Sequence, residues 1–179
     1  YWVKKLRFIF ILLLSIAINV CYAQQSKEFP ESFIGTWKGK LQWMVAGNAM
    51  REFTMQLKVQ PADSAGYYSW YISYGDDNKD SRPYLLKPVD AKKGHWVIDE
   101  NDGIVLDSYV HGNSIHGAFT VLGKTIVDNY RIENNRMFVE FFSINLSEKT
   151  ISGKGTSEVP YVDSYKITGY QAGLLDKVE

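Results

Sequence analysis

Asp128 is the residue whose type and place most call for a chemical explanation. It alternates in phase with Ile126, Tyr130 and Ile132, so a strand there points a carboxyl along its apolar face. A buried carboxylate is costly unless it is paired. One explanation is a hydrated cavity in which Asp128 orients a ligand. Another is an enzyme using Asp128 and Tyr130 as an acid–base pair. A third is structural: hydrogen bonds linking Asp128, Tyr130 and Arg82 or Arg131. Ser108 shares a face with Leu106 and Val110, Ser143 with Val139 and Phe141, and Asp163 with Tyr165 and Ile167 if no bulge intervenes.

The three histidines offer less. His111 and His116 flank Gly112-Asn113, a turn sequence that would let the two approach across a hairpin. With Asp107 they could hold a metal ion, but two histidines without a firm third ligand read as solvated side chains, and no metal is expected. His95 precedes Trp96 without a recognisable partner. No Gly-x-Ser-x-Gly, His-Glu-x-x-His or phosphate loop occurs. Gly153-Lys154-Gly155-Thr156 reads as a turn because no helix follows it. Asp76-Asp77-Asn78-Lys79-Asp80 has calcium-type oxygens but lacks the glycine and distal glutamate of an EF-hand loop. No cofactor is implied.

Strands must position these residues. Trp37, Gly39, Leu41, Trp43 and Val45 alternate with Lys38, Lys40 and Gln42. Phe53, Met55, Leu57 and Val59 alternate with polar residues, as do Tyr68, Trp70, Ile72 and Tyr74. Further strands are predicted over 84–89, 96–100, 104–111, 114–121, 125–132, 137–144 and 162–169. Asn101-Asp102-Gly103, Gly112-Asn113, Gly123-Lys124 and Asn134-Asn135 supply the turns between them. The fold class is therefore all-β: an antiparallel up-and-down meander of about ten strands. Closure into a barrel removes exposed edges; a two-sheet sandwich is the alternative.

The chain opens with Lys4, Lys5 and Arg7, an apolar run over 8–20, and Cys21-Tyr22-Ala23. That is the layout of a signal peptide, and its apolar run is shorter than the roughly 20 residues of a spanning helix. The expected division is a signal peptide over 1–23, a lead-in over 24–34 and one barrel domain over 35–179. The expected location is secreted or periplasmic. A lipoprotein signal acylated at Cys21 is the alternative, although Asn19-Val20 fits it poorly. Membrane contact would come only through an uncleaved leader or lipidated Cys21. The chain has 20 basic and 20 acidic residues, and removal of the leader's three cations leaves the domain slightly acidic. No basic cluster suggests nucleic acid. The single cysteine lies in the leader, so the domain would depend on its aromatic core rather than on disulfides.

Gly35-Thr36-Trp37, opening the first strand, resembles the first-strand motif of the lipocalin and calycin barrels, whose tryptophan plugs one end. Asp128-Asn129-Tyr130 after Thr125 loosely resembles the second lipocalin motif. The closing arginine near the C-terminus is absent, and ten strands are closer to the fatty-acid-binding or nitrobindin type of calycin. The nitrobindin haem histidine has no counterpart after His116. The resemblance implies an exported barrel binding a small, largely apolar ligand, with Trp43, Tyr68, Trp70, Phe119, Asp128 and Tyr130 as candidate ligand-binding residues and no catalytic ones. The alternative is a non-catalytic cell-envelope scaffold or protein-interaction module using exposed Tyr67, Tyr71 and Tyr109.

Overall fold

The computed structural model of the protein describes residues 28–77 and 79–178; the expected signal peptide, Cys21 and Asn78 lie outside the described residues. Ten strands follow in chain order: β1 (Gly35–Met44), β2 (Arg51–Pro61), β3 (Tyr68–Tyr74), β4 (Asp80–Asp90), β5 (His95–Asp99), β6 (Val105–His111), β7 (Ser114–Val121), β8 (Lys124–Glu133), β9 (Arg136–Ser152) and β10 (Val162–Lys177). Each pairs antiparallel with its chain neighbours, and β1 pairs with β10 to close the barrel. One 3-10 turn, Ala91–Lys93, joins β4 to β5; among the described residues there is no α-helix. The barrel, not the sandwich, is the way this meander buries its apolar faces.

Closure rests on a close approach. Gly39 and Gly173 lie on opposite sides of the β1–β10 seam, where Gly39 is paired with Leu175 and Gly173 with Leu41. A Cβ on Gly39 would collide with the Leu174 carbonyl oxygen, and one on Gly173 with that of Lys40. Any larger residue would push the two strands apart at the position where the sheet must meet itself.

Because the strands alternate in direction, the barrel has two distinct ends. At one end the segment before β1 folds inward. Phe33 is fully buried, Phe29 and Phe33 meet edge to face at 5.0 Å, and Phe29 meets Trp96 at 5.1 Å. Trp37 is buried there, and its indole Nε1 donates to the Phe33 carbonyl at 2.7 Å. Aromatic area excluded from water, with the indole N–H satisfied, makes this end a solid plug. The Trp37 plug matches the expectation drawn from Gly35-Thr36-Trp37.

The core runs inward from the plug through Leu41, Leu57, Val59, Trp70, Leu86, Val139 and Leu175. It then stops short of the opposite end. There β9 and β10 continue past their neighbours as a projecting hairpin arm, with Val162 paired to Ser152 and Tyr165 to Lys149. Register shifts at Tyr165/Lys166 and Ile167/Gly169 separate the arm from the barrel wall. The shifts correct the expected inward phase of Asp163: its carboxylate is on the arm, 2.6 Å from Lys149 Nζ. β9 runs past its predicted end at 144 because its second half is in the arm, which is solvated on both faces and carries no apolar alternation. β10 runs past its predicted end at 169 because 170–177 pair with β1 to close the barrel.

Candidate functional site

The open half of the barrel holds a cavity of about 490 Å³ that opens to solvent. Its walls come from eight strands: Trp43 on β1, Phe53 on β2, Phe119 on β7, Ile126 on β8 and Phe141 on β9 supply apolar surface, and β3, β4 and β10 contribute as well. Tyr74, Asp80, Arg82, Ser143 and Gln171 supply polar atoms. Strand alternation explains the set, since Ile126 shares the inward face with Asp128 and Tyr130, and Ser143 shares it with Phe141 and Val139.

Asp128 lies one inward step below Ile126. It is paired with Phe141 on one side and Gly117 on the other, and only 8% of its surface is exposed. The expected network with an arginine does not form. Arg82 is held by Asp80, Nε to Oδ1 at 3.2 Å, and stacks over Tyr74 at 5.0 Å. Arg131 turns outward beside Glu133, 2.9 Å away. Asp128 instead accepts a hydrogen bond from the Gly117 backbone N–H, which is too little to offset its burial; desolvation pushes its carboxyl up to about 6. Gly117 makes the carboxyl's room: a Cβ there would stand 2.7 Å from Asp128 Oδ2.

Below Asp128 the aromatic packing becomes continuous. Tyr130 meets Phe141 edge to face at 5.7 Å and Trp70 at 5.1 Å, and Trp70 stacks on Phe33 at 6.3 Å. Burial, reinforced by the Asp128 charge, pushes the Tyr130 hydroxyl well above its ordinary range. The Trp70 indole N–H lies against that hydroxyl but makes no hydrogen bond of regular geometry. Tyr74 is likewise raised, to about 12, first by burial.

The six residues expected to bind a ligand thus fall at four heights. Trp43 and Phe119 line the cavity. Asp128 is just beneath its walls, and Trp70 and Tyr130 form the packed layer below. Tyr68 is at the plugged end, 6.4 Å from the Trp96 ring and with its hydroxyl 3.3 Å from Glu31. Sequence reasoning did not single out Phe53, Tyr74, Ile126, Phe141 or Gln171 as cavity residues. For Phe53, Tyr74 and Ile126, inward phase combined with nearness to the β1–β2, β3–β4 and β7–β8 turns was the available signal; for Phe141 it was inward phase alone.

The histidines lie on the outer surface. His111 and His116 stand 5.6 Å apart between ring centroids. Burial, then the neighbouring His111 and Arg131, lowers the His116 pKa. Asp107 does not join them. It pairs with His95, Nε2 to Oδ1 at 2.6 Å, which gives His95 the partner the sequence did not reveal; the His95 ring also stacks on Tyr109 at 4.7 Å. No cluster of three or more metal-ligating side chains occurs among the described residues. In the Asp-rich β3–β4 loop, Asp76 accepts from Thr54 and Asp77 pairs with Lys79.

These features define a closed ten-stranded antiparallel barrel, compatible with a lipocalin-like fold, plugged at one end and hollow at the other. No protein-family model matches the chain, and no curated protein matches it.

Proposed function

We propose that this is an exported, lipocalin-like barrel that holds a small, largely apolar molecule in its open half. The observation that carries the reading is the cavity of about 490 Å³ walled by Trp43, Phe53, Phe119, Ile126 and Phe141. Small-molecule sites are concave, mostly apolar and supplied with a few placed polar groups. The volume falls within their usual range of roughly 300–1,000 Å³. Arg82, Ser143 and Gln171 are the placed polar groups at the wall. Native mass spectrometry on protein purified from an exporting host without organic solvent tests the reading. A reproducible extra mass, lost on denaturation, is expected; a bare polypeptide that also takes up no apolar compound from a mixed library would contradict it.

A second reading has its own observation. The β9–β10 arm exposes Ile151, Tyr161, Val162 and Tyr165, the kind of apolar and aromatic surface that protein interfaces use. On that reading the barrel is a cell-envelope scaffold and the arm its contact. Shortening the arm would then abolish association with a saturable protein partner while leaving small-molecule uptake intact.

A further inference from the structure

We infer that the molecule held in the cavity carries a hydroxyl group at its inner end, which hydrogen-bonds the Asp128 carboxyl while its apolar body lies between the aromatic walls. This rests on the cavity-binding reading above and deepens it.

Three features of the floor support the assignment. Asp128 is more than nine-tenths buried, yet among the described residues its one hydrogen bond comes from the Gly117 backbone N–H. A carboxyl has about four acceptor positions, so most of its capacity is unused. Second, its surroundings open toward the cavity: Phe141 is its cross-strand neighbour and Ile126 its inward neighbour on β8, and both are cavity walls. Third, the facing position is Gly117, where any side chain would press on the carboxyl. The barrel therefore keeps a buried acceptor beside two residues of the chamber wall, with no side chain at the cross-strand position facing it.

A hydroxyl suits this floor better than other donors. Burial raises the carboxyl to about 6, so both protonation states are reached around that pH. A hydroxyl donates to the carboxylate and accepts from the acid, so it pairs with both. A protonated amine would have to surrender its own hydration in the same apolar chamber. The titratable groups facing Asp128 inside the barrel are the hydroxyls of Tyr74 and Tyr130, and burial keeps both neutral.

The test compares naphthol with its methyl ether, two compounds of similar shape of which only naphthol can donate. Dissociation constants are measured calorimetrically at pH 8 for the wild-type domain and for Asp128→Ala. A hydrogen bond to a charged group is worth enough to give wild type roughly a tenfold or greater preference for naphthol, and Asp128→Ala should bring the two constants within about twofold. Equal binding of the two compounds by wild type, or a preference that survives Asp128→Ala, would overturn the inference while leaving the cavity reading intact. Absence of saturable binding by either compound would remove both. If Asp128→Ala does not fold, the carbon NMR signal of the Asp128 carboxyl in wild type serves instead. It should move on addition of naphthol and stay in place with the ether; equal movement would overturn the inference.

Discussion

The two halves of the barrel are built from the same ten strands with the same alternation, yet one is solid and the other hollow. In the plugged half the segment before β1 contributes Phe29 and Phe33, and these close over Trp37, Trp70 and Trp96. In the open half no segment of the described residues folds in, aromatic residues serve as walls, and a carboxyl is tolerated at the floor. The difference teaches that inward phase decides which face a residue takes, while height along the barrel decides whether it becomes core or cavity.

The sharpest way to break that comparison is to truncate one tryptophan in each half. Trp37→Ala should cost about 3–5 kcal/mol, as large-to-small core changes do. Trp43→Ala, at a position 37% exposed, should cost under about 1 kcal/mol. Guanidinium unfolding of both variants measures the contrast, and equal losses would erase it.

Asp128→Asn should have the next largest effect, and in the opposite direction. The folded-state pKa of Asp128 is raised from 3.8 to about 6, so the folded protein resists ionisation and the residue costs stability once pH exceeds the unfolded value. The cost grows between pH 4 and 6 and levels off above, reaching up to about 3 kcal/mol. Asp128→Asn should therefore stabilise the protein at pH 7–8 and make little difference below pH 4. Urea titrations across that range check it; a gain that is independent of pH would assign the effect to something other than the carboxyl charge.

Gly117→Ala should cost about 1–3 kcal/mol, through its contact with Asp128. Much of that cost should disappear in the Asp128→Ala background, because the two changes share one space. A double-mutant cycle measures the coupling, and additive losses would show that Gly117 is needed for its backbone alone. The smallest effect belongs to the rim. Leu122, 98% exposed at the β7–β8 turn, should change stability by no more than about 0.5 kcal/mol as Leu122→Ser, measured in the same unfolding assay.

Much of this was legible in the sequence. The alternation of Phe53, Met55, Leu57 and Val59, and of Tyr68, Trp70, Ile72 and Tyr74, gives β2 and β3 their inward faces, and Gly35-Thr36-Trp37 points to the plug. Asp128 stands out because a carboxyl in phase with Ile126 and Tyr130 breaks an apolar pattern. Period two carries no information about height, so Tyr68 could not be separated from Phe53, although the two lie at opposite ends. Nor does it survive the bulges in β10 that turn Asp163 outward. The His95–Asp107 pair depends on the β5–β6 register, which aligns His95 with Tyr109 and brings a residue twelve positions away alongside.

The most direct test of the hollow half is to fill it. Ile126→Trp places an indole in the cavity without touching the plug. Wild type and variant would be titrated with the fluorescent apolar probe anilinonaphthalene sulfonate, and their unfolding midpoints compared. The expected result is saturable one-to-one binding by wild type that is lost in Ile126→Trp at nearly unchanged stability. Equal binding by both proteins, or a steep loss of stability on filling, would mean that the open half is either not the site or not a cavity.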